Sequence, residues 1–245
     1  MVDLSVVIPV YNEEENLPPL WAELRGVLER LGLAVEAIFV DDGSRDGSAE
    51  IVRGLRAADP RVHLVRLKSN AGETAATDAG FKAARGRWVV VMDADLQHDP
   101  ADIPKLLGHL DRWDAATGWR RERARGDDWR RRLASRIANG VRNRLSDETI
   151  QDSGCTFRAF RRECLRDLVL YRGLHRFIPT LLRLQGYRVI EVEVNPRPRR
   201  FGRSKYGAWS RAFVAFTDLL AIRWMKSRLL RYEVAENLGG DLGRE

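Results

Sequence analysis

Four short apolar runs alternate with amphipathic helical patterns along the first hundred residues, and this alternation restricts the fold more than any other feature of the chain. Leu4–Val10, Ala37–Val40, Val62–Leu67 and Arg87–Met92 are rich in β-branched and other apolar residues. Between them Leu17, Leu20, Leu24, Val27, Leu28 and Leu31 repeat at helical spacing before Gly32, and Ser48–Ala58 and Ala75–Ala84 read as further helices. Strands that are apolar on both faces belong in a parallel sheet covered by helices on both sides. The expected fold class is therefore α/β, a Rossmann-like, mostly parallel sheet flanked by helices. After residue 100 the periodicity loosens: Ile103–Leu110 and Leu133–Leu145 read as helices, Cys155–Phe160 and Tyr187–Val194 as extended chain, and 146–153 as a polar connection. With 245 residues and 44% hydrophobic content the chain can bury a core of its own. Residues 1–207 are read as one catalytic domain, 208–235 as an amphipathic C-terminal helical extension, and 236–245 as a flexible, Gly-rich tail.

In open α/β sheets ligands sit beyond the carboxyl ends of the strands. All four strand ends here are polar: Tyr11-Asn12-Glu13, Asp41-Asp42-Gly43-Ser44, Lys68-Ser69-Asn70 and Asp93-Ala94-Asp95-Leu96-Gln97. Asp93 and Asp95 flank a single residue, so both carboxylates reach one region; with Gln97 they suit a hard divalent cation, Mg²⁺ or Mn²⁺. An isolated Asp-x-Asp is more often a solvated turn, and Asp-Gly before a Ser cap is ordinary turn chemistry. Two adjacent Asp after a buried strand exceed what a turn requires, and one of them suits ribose hydroxyls or a base edge. The companion strand ends shift the balance toward a site.

The blocks PVYNEEENL, FVDDGSRDGS, NAGETAATDAGFKAARG and VVVMDADLQHDP, in this order and spacing, resemble family-2 glycosyltransferases of the GT-A fold. DSGCTFRAFRRE, HRFIPTL and RFGRSKYG narrow the resemblance to dolichyl-phosphate mannose synthases and bacterial polyprenyl-phosphate glycosyltransferases, over about residues 4 to 210. The resemblance implies a metal-dependent hexosyltransferase. It would move mannose or a glucose-type hexose from a GDP- or UDP-sugar to a dolichyl or undecaprenyl phosphate at a membrane surface. It implies that Pro9, Tyr11, Glu13, Asp41, Asp42, Asp93 and Ser204 hold the donor nucleotide, and that Asp93, Asp95 and Gln97 hold Mg²⁺ or Mn²⁺. Asp95, Arg200 and Lys205 would act in catalysis, and Arg120, Arg131 and Ser135 would take the acceptor phosphate. Gly118-Trp119-Arg120 replaces the relatives' Gly-Ser-Arg, and Ser153-Gly-Cys-Thr-Phe-Arg158 replaces Ser-Gly-Phe-Arg, so the acceptor side departs most from the pattern. A related enzyme acting on a glycan, glycolipid or protein acceptor is the alternative that this departure favours.

The chemistry agrees with the resemblance. A phosphate monoester is already ionised at neutral pH and needs positioning more than a strong base, while a leaving nucleoside diphosphate needs cations. A single inverting displacement at the anomeric carbon is expected, and His175 reads as a structural hydrogen-bonder. The formal charge of +7 is concentrated in Trp119–Arg144, with ten Arg against Glu122, Asp127 and Asp128, and in Arg197–Arg211, with five Arg, Lys205 and no acid. Such stretches favour anionic partners. Ala, Leu, Ile and Asn interleave the first of them, with little stacking surface beyond Trp119 and Trp129, so a lipid phosphate is expected and nucleic acid is not. A nucleotidyltransferase would call for a basic Gly-rich N-terminal loop, and PVYNEEEN is acidic; a non-catalytic binding module would have no use for both Asp-x-Asp and the RSKYG block.

Trp209, Phe213, Phe216, Leu220 and Trp224 recur at helical spacing, followed by Arg223, Lys226, Arg228 and Arg231. That pattern is either a stripe packed on the catalytic domain or an in-plane interfacial helix. Relatives often carry spanning helices after this point, so docking on the bilayer, on a membrane-anchoring partner or through a homo-oligomer is expected to replace them. The start of the chain lacks a signal-peptide pattern, and Cys155 and Cys164 form no CxxC or disulfide framework. A cytoplasmic location, peripheral on the cytoplasmic face of a membrane, is expected.

Overall fold

The computed structural model describes residues 1–120, 150–152, 154–198, 208–230 and 236, with backbone alone over 208–216. Strands β1 (Leu4–Val10), β2 (Val35–Asp41), β3 (Val62–Arg66) and β4 (Trp88–Val91) alternate with helices α1 (Leu17–Arg30), α2 (Ser48–Ala58) and α3 (Glu73–Ala83). Helix α4 (Ile103–Leu107), strands β5 (Ala115–Trp119) and β6 (Arg158–Arg161), helix α5 (Ile178–Leu184), strand β7 (Val189–Glu193) and helix α6 (Ala208–Ser227) follow. The strands form one sheet in the order β3-β2-β1-β4-β6-β5-β7. Strands β1 to β4 are mutually parallel, β6 runs antiparallel to both neighbours, and β5 pairs parallel with β7. The expected mostly parallel α/β class is what the chain adopts.

The sheet is buried on both faces. Leu4, Val6, Ile8, Phe39, Val90 and Ala159 pack against α1 and α4 residues such as Leu20, Leu24 and Leu106; Val7, Ile38, Val89, Val91 and Phe160 pack against Phe81, Ile178 and Leu182. This two-sided burial is why β1, β2 and β4 are continuous apolar runs. Pro9 is tolerated in a central strand because its missing N–H points toward β4, whose pairing with β1 ends at Val7↔Val91. At Gly43, φ is +68° and a Cβ would lie 2.7 Å from the Asn70 amide nitrogen, so only glycine lets the β2 turn pack on the loop after β3.

The sequence boundaries need correction in several places. The extended run expected at Cys155–Phe160 becomes β6 at Arg158–Arg161, because its ladder with β4 starts at Val91↔Arg158. The helix expected through Leu110 ends at Leu107, with Gly108 as its cap, and starts after a 3₁₀ turn at Pro100–Asp102. Helix α3 starts two residues early, at Glu73, after Gly72 at φ +94°. Strand β5 and helix α5 were not expected: Ala-Ala-Thr-Gly carries almost no strand signal, and seven residues are too few for a helical period to declare itself. The helix expected at Leu133–Leu145 lies outside the described residues.

Helix α6 divides by face. Leu219 and Ile222 enter the core beside Leu168 and Leu174, with Met225 packed against them. Leu220 and Trp224 remain exposed, at 46% and 64%. The aromatic stripe therefore does not pack as a unit. Leu220 and Trp224 face solvent, while the side chains of Trp209, Phe213 and Phe216 lie outside the described residues. Among the described residues no helix is long and apolar enough to cross a membrane.

Candidate active site at the carboxyl ends of β1, β2 and β4

The loops after β1 and β2 are laced together. The Asn12 amide donates to Ser44 Oγ (2.9 Å), the Glu13 amide to Ser48 Oγ (2.9 Å), and Asn12 Oδ1 accepts from the Arg45 amide (2.8 Å). Asn12 takes φ 53°, a conformation that Asn tolerates. The two adjacent Asp after β2 have different partners. Asp41 is fully buried, accepting from the Ser44 amide and from Arg66 Nε, each at 3.0 Å. Asp42 accepts from Asn70 Nδ2 (2.8 Å) and the amides of Ala71 (2.7 Å) and Gly72 (2.9 Å), and so fixes the loop that leads into α3. Pro9, Tyr11 and Glu13 stand on the same crest, with Glu13 Oε2 also accepting from Asn16 Nδ2 at 2.6 Å.

Asp93 and Asp95 follow β4. Asp93 Oδ2 accepts from Thr156 Oγ1 at 2.6 Å, and Asp95 Oδ1 accepts from the Gln97 amide at 3.1 Å. Leu96, between Asp95 and Gln97, takes φ 62°, a left-handed conformation that costs a non-glycine residue about 1–2 kcal/mol, and it turns the chain directly after the Asp-x-Asp pair. Behind the turn His98 is buried and stacks on Phe157, centroids 5.1 Å apart, while its Nδ1 accepts from the Asp93 amide at 3.3 Å. Burial keeps that imidazole below its usual value, hence neutral and able to accept.

Sequence reasoning assigned no role to several residues around Asp93. Burial lifts the Glu73 carboxyl to about 7, and the charges of Asp93 and Asp95 push the same way against Arg176 and Arg158. His175 donates or accepts at Thr74 Oγ1 (2.8 Å) and lies 3.4 Å from Glu73; burial, with help from Arg176 and Arg158, pushes it down to about 3. A neutral, buried His175 agrees with the structural reading. Arg158 is 1% exposed, with Nε 3.3 Å from Thr117 Oγ1 and its two terminal nitrogens donating to the carbonyls of His175 and Arg176. Its charge faces the Asp93 and Glu73 carboxylates from inside the core. Both thiols are buried and pushed up, Cys155 to about 11 and Cys164 to about 12, so neither is a nucleophile at neutral pH.

Arg120 is already engaged. Its Nε and a terminal nitrogen reach the two oxygens of Asp152 at 2.8 and 3.0 Å, a closed fork. Arg131, Ser135, Arg200, Ser204 and Lys205 lie outside the described residues.

Among the described residues no group of three His, Cys, Asp or Glu could hold a metal by itself. Two carboxylates one residue apart, in a field negative enough to help lift Glu73, suit a hard ion that takes its remaining oxygens from a diphosphate. The residues present fit that ion.

Residues 5–169 match the glycosyl transferase family 2. The chain belongs to that family. This family-2 chain is 38% identical over 206 residues to undecaprenyl-phosphate 4-deoxy-4-formamido-L-arabinose transferase of Aeromonas hydrophila subsp. hydrophila, a match over 83% of the chain and 63% of that relative. The Edwardsiella ictaluri protein of the same name is 38% identical over 205 residues, with the same coverage. The chain therefore spans somewhat less than two thirds of these relatives' length. Among solved structures, mannosyl-3-phosphoglycerate synthase from Rubrobacter xylanophilus superposes with TM-score 0.72 at 19% identity, over 94% of this chain and 76% of that one. Glucosyl-3-phosphoglycerate synthase from Mycobacterium tuberculosis, in complex with Mn²⁺, UDP-glucose and phosphoglyceric acid, gives TM-score 0.67 at 18% identity, over 94% and 81%. These likenesses establish the GT-A fold of this family-2 glycosyl transferase.

Two tests follow from the geometry. Thr156→Val removes the hydrogen bond that orients Asp93, and outer-shell losses of this kind cost about 10- to 100-fold in metal affinity or activity. The expected result is that loss in metal-dependent donor binding, with an unchanged thermal midpoint in chelator. Acid stability tests the Glu73–His175 contact. A His depressed to about 3 stabilises above its unfolded value of 6.5, and this stability drains as pH falls toward 3, by about 1.4 kcal/mol per unit at most. A Glu raised to about 7 does the reverse, adding stability as pH falls from 7 to 4.5, discounted because 43% of its side chain is exposed. In chelator, Glu73→Gln removes the offset. Its stability is expected to fall below pH 6.5 more steeply than that of the unaltered protein, as read by urea denaturation at stepped pH.

Proposed function

We propose that this chain transfers one sugar from a UDP- or GDP-sugar to a polyprenyl phosphate at a membrane surface. The observation that carries the donor half is the Asp93/Asp95 pair at the end of β4, oriented by Thr156 and the Gln97 amide beside the fixed β1 and β2 loops. The relatives named for undecaprenyl-phosphate transfer support the acceptor half. A divalent ion, Mg²⁺ or Mn²⁺, held by Asp93 and Asp95 with Gln97 adjacent, would neutralise the leaving diphosphate; solved neighbours bind Mn²⁺ with UDP or UDP-glucose.

An oxygen of the lipid phosphate attacks the anomeric carbon, the bond from that carbon to the nucleoside diphosphate breaks, and the configuration inverts. Asp42 holds the loop that walls the nucleoside site. Arg158 and the neutral His175 keep the floor behind Asp93 rigid and dry. Arg200, Ser204 and Lys205 close over the donor phosphates, and Arg131 with Ser135 takes the acceptor phosphate. Arg120 has its fork on Asp152. No general base is required, because the acceptor is ionised at neutral pH.

The purified protein, with Mg²⁺ or Mn²⁺, labelled UDP- and GDP-hexoses and -pentoses and a short polyprenyl phosphate, is expected to carry label into the organic phase, and chelator is expected to stop it. Donor binding without label in the organic phase would refute the acceptor assignment.

At the membrane, the exposed Leu220 and Trp224 of α6, with Leu229 and Leu230 beyond it, form the apolar contact, and Arg223, Lys226 and Arg228 meet anionic headgroups. Trp224→Glu with Leu230→Glu is expected to abolish sedimentation with phosphatidylglycerol vesicles while leaving the fold intact, since both side chains are largely exposed, at 64% and 82%. Unchanged sedimentation would remove α6 from the membrane contact.

A further inference from the structure

A cleft of about 360 Å³ opens at the opposite end of β4 from the Asp-x-Asp turn. Arg87, Trp88, Arg161, Arg162 and Arg166 line it together with the acids Asp111 and Glu163. Its volume falls in the range of small-molecule sites, roughly 300–1,000 Å³. Asp3 and Asp114 also stand 3.7 Å from Arg87 and Arg161, so the positive charge left without an ion pair among the described residues is that of Arg162 and Arg166.

The arginines are held differently. Arg161 donates through Nε to the Leu110 carbonyl at 2.8 Å and through a terminal nitrogen to the Asp111 carbonyl at 3.0 Å, with Asp114 and Glu163 at 3.7 and 3.6 Å. It is the most neutralised of the four. Arg162 donates to the Arg85 carbonyl at 3.0 Å, which fixes its direction and leaves its charge in place. Arg87 lies 3.8 Å over the Trp88 ring, with Asp3 3.7 Å away. Arg162 and Arg166 are exposed, and among the described residues neither has a carboxylate partner. Two uncompensated guanidinium groups, the Arg162 one fixed in direction, beside the Trp88 indole match phosphate oxygens carried on a less polar body.

We infer that this cleft is a second anion site, for a phosphate-bearing ligand, separate from the nucleotide-sugar site and independent of the proposed reaction. Strand β4 separates the two: Trp88, in the cleft, pairs with Leu4 and Arg161, whereas Val91, just before the Asp-x-Asp turn, pairs with Val7 and Arg158. Three residues of parallel strand place the ends about 10 Å apart.

The phosphate has two possible sources, a soluble phosphate compound or an anionic lipid headgroup, and the test separates them. With UDP and Mn²⁺ saturating the donor site, inorganic pyrophosphate is titrated calorimetrically against the full chain, and phosphatidylglycerol vesicles are titrated in parallel. Arg162→Ala with Arg166→Ala is compared with Arg25→Ala with Arg53→Ala, which removes equal charge from α1 and α2. The expected result is at least a tenfold weakening of one arm by the cleft pair alone, with UDP affinity unchanged. Loss in the pyrophosphate arm marks a soluble ligand, and loss in the vesicle arm alone marks a headgroup. Equal weakening by both pairs, or none by either, overturns the site.

Discussion

Asp95→Ala is expected to lower turnover by on the order of 10³-fold with saturating donor and metal, while the circular dichroism spectrum and thermal midpoint in chelator stay unchanged. Electrostatic groups aimed at developing charge carry losses of this size, because nothing in a dry site replaces them. Asp95 accepts from the Gln97 amide and is 7% exposed. Turnover within a few-fold of the unaltered enzyme would remove Asp95 from the site, and Leu96 would then keep its φ of 62° for some other purpose.

Arg158→Leu is expected to cost stability as well as activity. The side chain is buried at the junction of β6, the Leu174–Phe177 turn and Thr117, and its loss takes donors from the buried His175 carbonyl, the part-buried Arg176 carbonyl and the Thr117 hydroxyl. Removing one member of a buried charged cluster costs about 3–5 kcal/mol. For a chain of this size that corresponds to roughly 6–20 °C in thermal midpoint. Arg158→Lys retains the charge near Asp93 and Glu73 and gives up the fork. It is expected to recover part of the activity and little of the stability, measured by thermal denaturation beside kcat. Full recovery of both would show that only the charge matters.

The parallel half of the sheet was legible because burial on both faces writes itself into β1, β2 and β4 as unbroken apolar runs. The antiparallel insertion of β6 between β4 and β5 was not: Arg-Ala-Phe-Arg is four residues, and its partner Trp88–Val91 is some seventy residues away. The site divides the same way. Asp93 and Asp95 announce themselves by spacing within one turn. Thr156, which aims Asp93, stands 63 positions along the chain in the DSGCTFRAFRRE block, and nothing in the spacing of the two shows that they meet. Arg120 was read with Arg131 and Ser135 as taking the acceptor phosphate, and only the folded chain brings Asp152 against it, 32 positions on. Asp41 and Asp42 were read together by adjacency, yet alternation along a strand sends neighbouring side chains to opposite faces, and one joins Arg66 while the other caps the loop before α3.

The most direct test of the central claim is acceptor competition. The enzyme, a labelled nucleotide sugar and Mn²⁺ are offered equal concentrations of a polyprenyl phosphate and the corresponding polyprenol, and the two lipid products are separated by anion exchange and counted. Label almost entirely on the phosphate-bearing lipid is the predicted result. Label on the polyprenol, or equal label on both, would contradict transfer to phosphate and would require a base at the site to ionise a hydroxyl.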